Sequence, residues 1–145
     1  MGPKNFIGFE IRTLSNLIKR RGESSKVIGE ADKITGMHGW VIGYLYDNLR
    51  KGDVFQRDLE AEFSIRRPTA TGILQLMEKN GLIERVPVDY DARLKKLVLT
   101  PKAIAIHEKV DMEINLIEEE MTKGLTKEEI NSFLSILRKI KKNME

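Results

Sequence analysis

Apolar residues recur at helical spacing along most of this chain. In residues 5–21 they return every three or four positions, and other apolar residues flank that face, which predicts a helix that packs against more than one neighbour. The same spacing predicts helices over residues 35–49, with Thr35 as N-cap, and over residues 101–121. Residues 126–129 (Thr-Lys-Glu-Glu) form a capping box, so another helix follows them. The pattern therefore predicts a mainly α-helical chain.

The centre of the chain contains the signals of two short helices joined by a turn. Residues 53–56 (Asp-Val-Phe-Gln) resemble a capping box with Asp53 as N-cap, which predicts a short helix. Pro68 suits the first turn of the next helix, because proline has no N–H that the helix would leave unpaired. Residues 80–81 (Asn-Gly) are typical of a left-handed helix end. The turn between the two helices is predicted at residues 64–66.

A change from helical to β pattern follows these two helices. Residues 82–88 and 94–99 are apolar and rich in β-branched side chains, and they flank a polar tip at residues 89–93, which predicts a β-hairpin. Pro87 cannot donate to a ladder, so it is expected on an edge strand or near the tip of the hairpin. A helix-turn-helix followed by a hairpin is a winged helix-turn-helix. The predicted fold class is therefore mainly α with a small β-hairpin wing.

A length of 145 residues favours one domain, residues 1–145. The winged helix-turn-helix lobe is predicted over residues 36–99. The flanking helices, residues 5–21 and 101–143, have more apolar surface than one small winged lobe can cover. We interpret them as dimerisation helices that interlock with a second copy of the chain. The alternative is that they pack only within the one chain.

Composition limits the chemistry that is open to this chain. It has no cysteine, which excludes disulfides, thiolate metal sites and thiol redox switches. No apolar run approaches the ~20 residues of a membrane helix, and no apolar signal segment follows Met1. No membrane partner is predicted, and the expected location is cytoplasmic. The net charge of +3 is too small to indicate a nucleic-acid partner by itself, so the placement of the basic residues must decide.

The second helix of a winged helix-turn-helix lies in the DNA major groove, which requires polar residues at its start and on its outer face. Arg can bind guanine with two hydrogen bonds, and Thr hydroxyls can contact bases or phosphates. Gly72 lies near the same face, where a missing side chain lets backbone and DNA approach each other. The predicted major-groove residues are Arg66, Arg67, Thr69, Thr71 and Gln75.

The predicted hairpin is basic near its tip. Arg93, Lys95 and Lys96 suit the minor groove or the flanking phosphates. Asp91 is two residues from Arg93 and can hold its guanidinium in place. The competing interpretation is a winged-helix protein-interaction module without specific DNA binding, because this geometry also occurs in such domains.

The wing residues resemble a known family. Residues 91–100 (Asp-Ala-Arg-Leu-Lys-Lys-Leu-Val-Leu-Thr) are similar to the wing signature D-x-R-x-K-x-x-x-L-T of the MarR (multiple antibiotic resistance regulator) family. Residues 59–83 resemble that family's recognition segment, and Trp40 falls where the family often has an aromatic residue. The chain departs from the pattern at residues 66–68 (Arg-Arg-Pro), where many members have a Ser-rich helix start. The resemblance covers nearly the whole chain.

This resemblance implies an obligate homodimer that binds pseudo-palindromic double-stranded DNA and represses or otherwise regulates transcription, with a ligand-responsive repressor as the expected form. It implies that Arg93 enters the minor groove with Asp91 orienting it. It also implies that Thr69 and Thr71, joined by Arg67, face the major groove. The operator sequence, the regulated genes and the effector do not follow from the sequence.

A ligand pocket is a further expectation. In the family, small aromatic ligands bind between the DNA-reading lobe and the dimer helices, where Met37, His38, Trp40 and Tyr44 are candidate lining residues. The competing interpretation is ordinary core packing, which we favour for Trp40.

Evidence for catalysis or for a metal is weak. His107 and Asp111 lie one helical turn apart, but no set of three or four ligands at a recognisable spacing accompanies them. His107 is interpreted as a solvated or interface residue. No nucleophile–base pair and no phosphate-binding glycine loop is present. The chain is therefore predicted not to be an enzyme, with no metal and no cofactor.

Overall fold

The computed structural model describes residues 5–23 and 37–145, which contain six helices and one two-stranded antiparallel sheet. The predicted mainly α class with a hairpin wing is confirmed. The elements are α1 (Ile7–Glu23), α2 (Met37–Asp47), α3 (Gln56–Phe63), α4 (Arg67–Lys79), β1 (Ile83–Val88), β2 (Asp91–Leu99), α5 (Pro101–Met121) and α6 (Lys127–Met144). The first helix continues through Gly22, two residues beyond its predicted end. The predicted N-cap Thr35 lies outside the described residues.

The chain divides into two compact units, residues 1–113 and 114–145, and α5 begins in the first and ends in the second. In the first unit, one apolar core joins α2, α3, α4, the hairpin and the start of α5. The core consists of Val41, Ile42, Leu45, Val54, Leu59, Leu74, Met77, Leu82, Ile83, Leu97, Leu99 and Ala103. The helix-turn-helix and the wing therefore form one packed lobe.

The N-cap of the short helix α3 lies two residues later in the chain than predicted. Its N-cap is Phe55, whose backbone N–H donates to the Asp58 carboxylate at 2.8 Å. A carboxylate in the first turn also suits the positive end of the helix dipole. The prediction that Asp53 caps this helix is wrong. Asp53 instead accepts a hydrogen bond from the Tyr90 hydroxyl at 3.3 Å.

A tight turn reverses the chain between α3 and α4. Ser64 has a left-handed backbone (φ 50°), and the N–H of Ile65 donates to the Glu60 carbonyl at 3.1 Å. The far end of α4 also uses a left-handed residue, Gly81 (φ 72°), as predicted. There the Leu82 N–H bonds back to the Met77 carbonyl at 2.9 Å, which is a Schellman ending. Backbone hydrogen bonds thus fix the turn before α4 and the end of α4.

The wing is shorter at its tip than the sequence suggested. Only two residues, Asp89 and Tyr90, connect the strands, and the pairing is irregular between Pro87 and Val88. Residues 91–93 therefore belong to β2 rather than to a five-residue tip. Near the root of the hairpin the ladder is regular, with Ile83 opposite Leu99.

Backbone and side-chain hydrogen bonds attach the wing to the helices. The Leu97 N–H donates to the Val54 carbonyl, just ahead of α3, at 2.8 Å. The Thr100 hydroxyl donates to the Gly81 carbonyl at 2.6 Å and also caps α5 by accepting from the Ala103 N–H at 3.2 Å. The wing and the two short helices are consequently held as one body.

The helices α1 and α6 differ from this lobe. The apolar residues of α1 are largely exposed, and α6 has no buried residue. The predicted capping box of α6 is confirmed, because Thr126 accepts from the Glu129 N–H at 3.1 Å and Glu129 accepts from the Thr126 N–H at 2.9 Å. Local signals thus define α6 although little covers it.

In α2 the predicted inward face is only partly correct. Val41 and Leu45 are buried, but Trp40 is 59% exposed, so the preference for core packing of Trp40 is wrong for the single chain. Leu49 is also exposed and lies in the turn after the helix. Across residues 5–23 and 37–145, no helix is long and apolar enough to cross a membrane.

Candidate nucleic-acid interface

The start of α4 presents polar groups to solvent. Arg66, Arg67, Thr69 and Gln75 are exposed, whereas the opposite face is buried through Leu74 and its neighbours. No side chain caps this helix, and the proline at its start offers no N–H. The remaining N–H groups of the first turn point outward with the positive end of the helix dipole, which favours a phosphate.

Thr71 is the one predicted groove residue of α4 that is half-buried. Its Oγ1 lies 2.9 Å from Nε2 of Gln56, the first residue of α3, and the same nitrogen lies 3.4 Å from the carbonyl oxygen of Arg67. A side chain of the first helix therefore contacts a residue of the second helix that is predicted to face the groove.

On the wing, Asp91 and Arg93 form a two-pronged ion pair. Arg93 Nε lies 3.2 Å from Asp91 Oδ1, and Nη2 lies 3.3 Å from Oδ2. The Arg93 backbone N–H donates to the same carboxylate at 2.9 Å. The Arg93 side chain is 90% exposed. Of the five guanidinium N–H groups, three remain to donate to a ligand. The carboxylate thus fixes the direction of the guanidinium without covering it.

The same contacts determine the charge state of Asp91. Hydrogen bonds from the Arg93 guanidinium, and then from its backbone N–H, lower the pKa of the Asp91 carboxyl. The carboxyl is therefore ionised throughout the neutral range, and the ion pair persists there.

The two wing lysines differ in their surroundings. Lys95 is exposed, whereas Lys96 is half-buried with Nζ 3.6 Å from Asp53 Oδ1. Asp53 also accepts from Tyr90 at the wing tip, and desolvation followed by the Asp53 charge raises the pKa of the Tyr90 hydroxyl. The loop ahead of α3 thus restrains the wing from its side.

Gly72 lies on the exposed side of α4. A Cβ built at this position would meet no atom of residues 5–23 and 37–145 within 4 Å, so the described part of the fold does not require glycine here. The absence of a structural reason is consistent with the predicted close approach of a ligand backbone.

Three residues of this surface were not among the predicted site residues: Gln56, Asp53 and Tyr90. Gln56 and Asp53 were assigned to a capping box, and that assignment concealed their contacts with α4 and with the wing. The bond from Gln56 joins two helices and depends on how they cross, so no local sequence signal singles out Gln56.

The four residues proposed for a ligand pocket occupy different environments. His38 is buried and burial lowers its pKa, Met37 and Tyr44 are half-buried, and Trp40 is exposed. A separate cleft of about 180 Å³ lies between the end of α2, the loop 48–54 and β2. None of the four residues lines that cleft, and the predicted ligand pocket stays a prediction.

His107 is half-buried and packs against an aromatic ring. Its imidazole lies 4.3 Å from the Tyr46 ring, measured between centroids. In the part of the chain that the structure describes, no group of three or more His, Cys, Asp or Glu side chains could hold a metal ion.

Comparison with known proteins agrees with this geometry. The sequence profile of the MarR family matches residues 32–94. The transcription regulator MarR from Oenococcus oeni PSU-1 is 34% identical, over 94% of this chain and 99% of that one, with a TM-score of 0.80. The chain belongs to the MarR family. The resemblance found in the wing residues is thereby confirmed.

Two further solved structures show the same fold. In a DNA complex, MepR from S. aureus is 25% identical over 95% of this chain and 98% of its own, with a TM-score of 0.83. The PcaV transcriptional regulator from Streptomyces coelicolor, in complex with its natural ligand, is 18% identical over 100% of this chain and 98% of its own, with a TM-score of 0.84. Both proteins thus share the fold of this MarR-family chain along nearly its full length.

Proposed function

We propose that this MarR-family chain is a homodimeric repressor that binds a pseudo-palindromic operator in double-stranded DNA. In this proposal α4 enters the major groove and the wing enters the minor groove. The main support is the Arg93 guanidinium, which is exposed yet held in one direction by Asp91. An ordered cation of this kind suits the strongly negative potential of a narrow minor groove.

The surface of α4 supports the major-groove part of the proposal. Arg67, Thr69 and Gln75 are exposed on a helix whose other face is anchored in the core. Arg, Thr and Gln can each bond base edges, and the uncapped helix start favours a phosphate. The MepR–DNA complex supports the same use of this fold, since that relative matches the chain along nearly its whole length.

The exposed apolar side chains of α1 and α6 support the homodimer. On α6, Phe133 is 52% and Ile136 is 54% exposed, and on α1 Leu17 is 56% exposed. Apolar surface of this extent on two helices is typical of an interaction site. A two-fold dimer would also present two recognition helices to half-sites about 34–36 Å apart.

The ligand response has separate support. The PcaV structure holds that protein's natural ligand, and PcaV has the fold of this chain. We propose that a small aromatic molecule binds near Met37, His38, Trp40 and Tyr44. It would favour a dimer geometry in which the recognition helices no longer match successive grooves.

Selection of bound duplexes from a random pool tests DNA binding directly. We expect enrichment of one sequence with two-fold symmetry. On that duplex, Arg93→Ala should weaken binding by about 1–3 kcal/mol, because the wing loses its ordered cation. Arg50→Ala removes an equal charge from an exposed position in the turn after α2, outside α4 and the wing, and should change binding less.

Two outcomes would contradict the proposal. Failure to enrich any duplex would favour the protein-interaction module instead. Equal binding by the Arg93→Ala variant and the parent would remove the wing from the interface. Light scattering tests the dimer separately, and a stable 16.6 kDa particle at micromolar concentration would exclude it.

A further inference from the structure

The first residue of α3 reaches across to the recognition helix. Gln56 Nε2 lies 2.9 Å from Thr71 Oγ1 and 3.4 Å from the Arg67 carbonyl oxygen. The Thr71 hydroxyl and the Arg67 carbonyl thus lie on the side of α4 that faces Gln56 of α3. Both Gln56 and Thr71 are half-buried. In the described part of the chain, no other side chain of the predicted groove surface hydrogen-bonds to the first helix.

The direction of these hydrogen bonds follows from chemistry. A carbonyl oxygen can only accept, so the amide nitrogen of Gln56 is the end that faces α4. Thr71 Oγ1 therefore accepts a hydrogen from Gln56. A hydroxyl has one O–H to donate. Accepting from Gln56 leaves the Thr71 hydrogen available for another partner.

The Arg67 carbonyl explains why that hydrogen is not used within the helix. A helical Thr commonly turns its hydroxyl back to the carbonyl four residues earlier, which for Thr71 is that of Arg67. This oxygen already accepts the Thr71 backbone N–H in the α-helix and lies close to Gln56 Nε2. Gln56 thus occupies the acceptor that would otherwise capture the hydroxyl.

We infer that Gln56 is a positioning residue, which holds the Thr71 hydroxyl as a hydrogen-bond donor toward the bases of the operator. The inference rests on the proposed function. In the major groove the acceptors are the N7 atoms of guanine and adenine, O6 of guanine and O4 of thymine, whereas cytosine offers a donor. Thr71 in this arrangement disfavours cytosine at the base that it contacts.

Two substitutions at position 56 separate positioning from simple packing. Gln56→Ala removes the donor, so Thr71 can turn back to Arg67, and we expect the preference at one base pair of each half-site to fall about three- to tenfold. Gln56→Glu reverses the bond, because the carboxylate accepts the Thr71 hydrogen. Thr71 can then only accept, and the preference at that base pair should change toward adenine or cytosine, which present an amino group.

The experiment compares base preferences by selecting duplexes with the parent, both Gln56 variants, Thr71→Val and the double variant Gln56→Ala/Thr71→Val. Thr71→Val should change the base preference at the same base pair as Gln56→Ala does. The double variant should change that preference no further. Ala61→Glu is the matched control for charge, because it adds the same charge at an exposed position of α3. It should weaken binding to all duplexes alike and leave the preference unchanged.

Each result supports or overturns the inference. Base preferences of both Gln56 variants that match the parent's would overturn it, with the proposed function left standing if the parent still enriches an operator. If Ala61→Glu changes the base preference at the same base pair as Gln56→Glu does, the added charge alone explains the change. A positioning role of Gln56 is then excluded. If the parent enriches no duplex, the proposed function and this inference both fall. Thermal unfolding of each variant identifies a misfolded protein, and Thr71→Val then tests the same base pair from the α4 side.

Discussion

The winged lobe and the helices at the two ends of the chain use apolar residues in opposite ways. In α4, the apolar face is buried, with Leu74 and Met77 fully covered by the same chain. In α6, an equally regular apolar face has no buried residue, and Phe133 and Leu134 remain exposed. The helical pattern in the sequence is similar in both places. The difference is that only the apolar face of α4 contains fully buried residues within the single chain.

This difference indicates a division of labour. A lobe that covers its own core can hold Arg93 and Thr71 in fixed geometry. Helices that leave apolar surface open are suited to assembly, and a change in their partner can then alter the spacing of two rigid lobes. In the proposed function, the lobe would supply the base contacts, and α1 and α6 would form the dimer that spaces those contacts.

The largest expected effect is on the buried face of α4. Leu74→Ala should lower the free energy of unfolding by about 2–5 kcal/mol, because it leaves a cavity in the core. Leu76→Ala, on the exposed side of the same helix, should change it by less than about 0.5 kcal/mol. Urea unfolding at one protein concentration measures both. Equal losses for the two variants would show that the two faces of α4 do not differ as described.

A second substitution pair tests the exposed face of α6. Phe133→Asp/Leu134→Asp should raise the dissociation constant of the dimer on the order of 100-fold, the size of an interface hot spot. Asn131→Asp/Ser132→Asp adds two charges to exposed polar positions of the same helix and serves as the control. Sedimentation or light scattering over a dilution series measures the change. An unaltered dimer in the first variant would place α6 outside the interface.

The sequence predicted the elements well where local chemistry determines them. Residues 126–129 contain their own cap, and Gly81 supplies a left-handed ending, so the structure agrees with the prediction at both places. Asp53 misled the prediction because Phe55 is the N-cap of α3 and its N–H donates to Asp58. Asp53 instead contacts Tyr90 and Lys96 of the wing, and the local sequence pattern does not contain these contacts.

The candidate site was predictable to a similar limit. The pairing of Asp91 with Arg93 joins residues two apart in the sequence, and the spacing alone suggested it. The bond from Gln56 to Thr71 joins residues fifteen apart on different helices. A contact of that kind depends on how the helices cross. The exposure of Trp40 depends on packing in the same way.

A substitution at Gly72 tests whether DNA binding, rather than folding, requires glycine at this position of α4. Gly72→Ala should raise the free energy of unfolding by about 0.5–1 kcal/mol, because alanine favours the helix and its Cβ meets no atom of the described residues within 4 Å. Affinity for the selected duplex should fall, since the methyl group blocks close approach of DNA. Gly43→Ala in α2, where the Cβ lies 3.8 Å from His107 Cε1, should stabilise the protein without affecting DNA binding. Unchanged affinity in Gly72→Ala would exclude close approach.

The smallest expected effect concerns the ion pair on the wing. Because the Arg93 guanidinium and N–H lower the pKa of Asp91, the pair contributes stability at and above the pKa of an unfolded Asp and loses it as the pH falls through the folded value. Carbonyl NMR should therefore show Asp91 titrating below an ordinary Asp. Arg93→Gln should return this pKa toward its usual range, whereas Lys95→Gln should leave it unchanged. A titration of Asp91 that does not respond to Arg93→Gln would mean that the pair does not form in solution.

If the pair forms, the direction of the Arg93 side chain is insensitive to pH near neutrality. Any dependence of DNA binding on pH between 6 and 7 would then come from groups other than the Asp91–Arg93 pair.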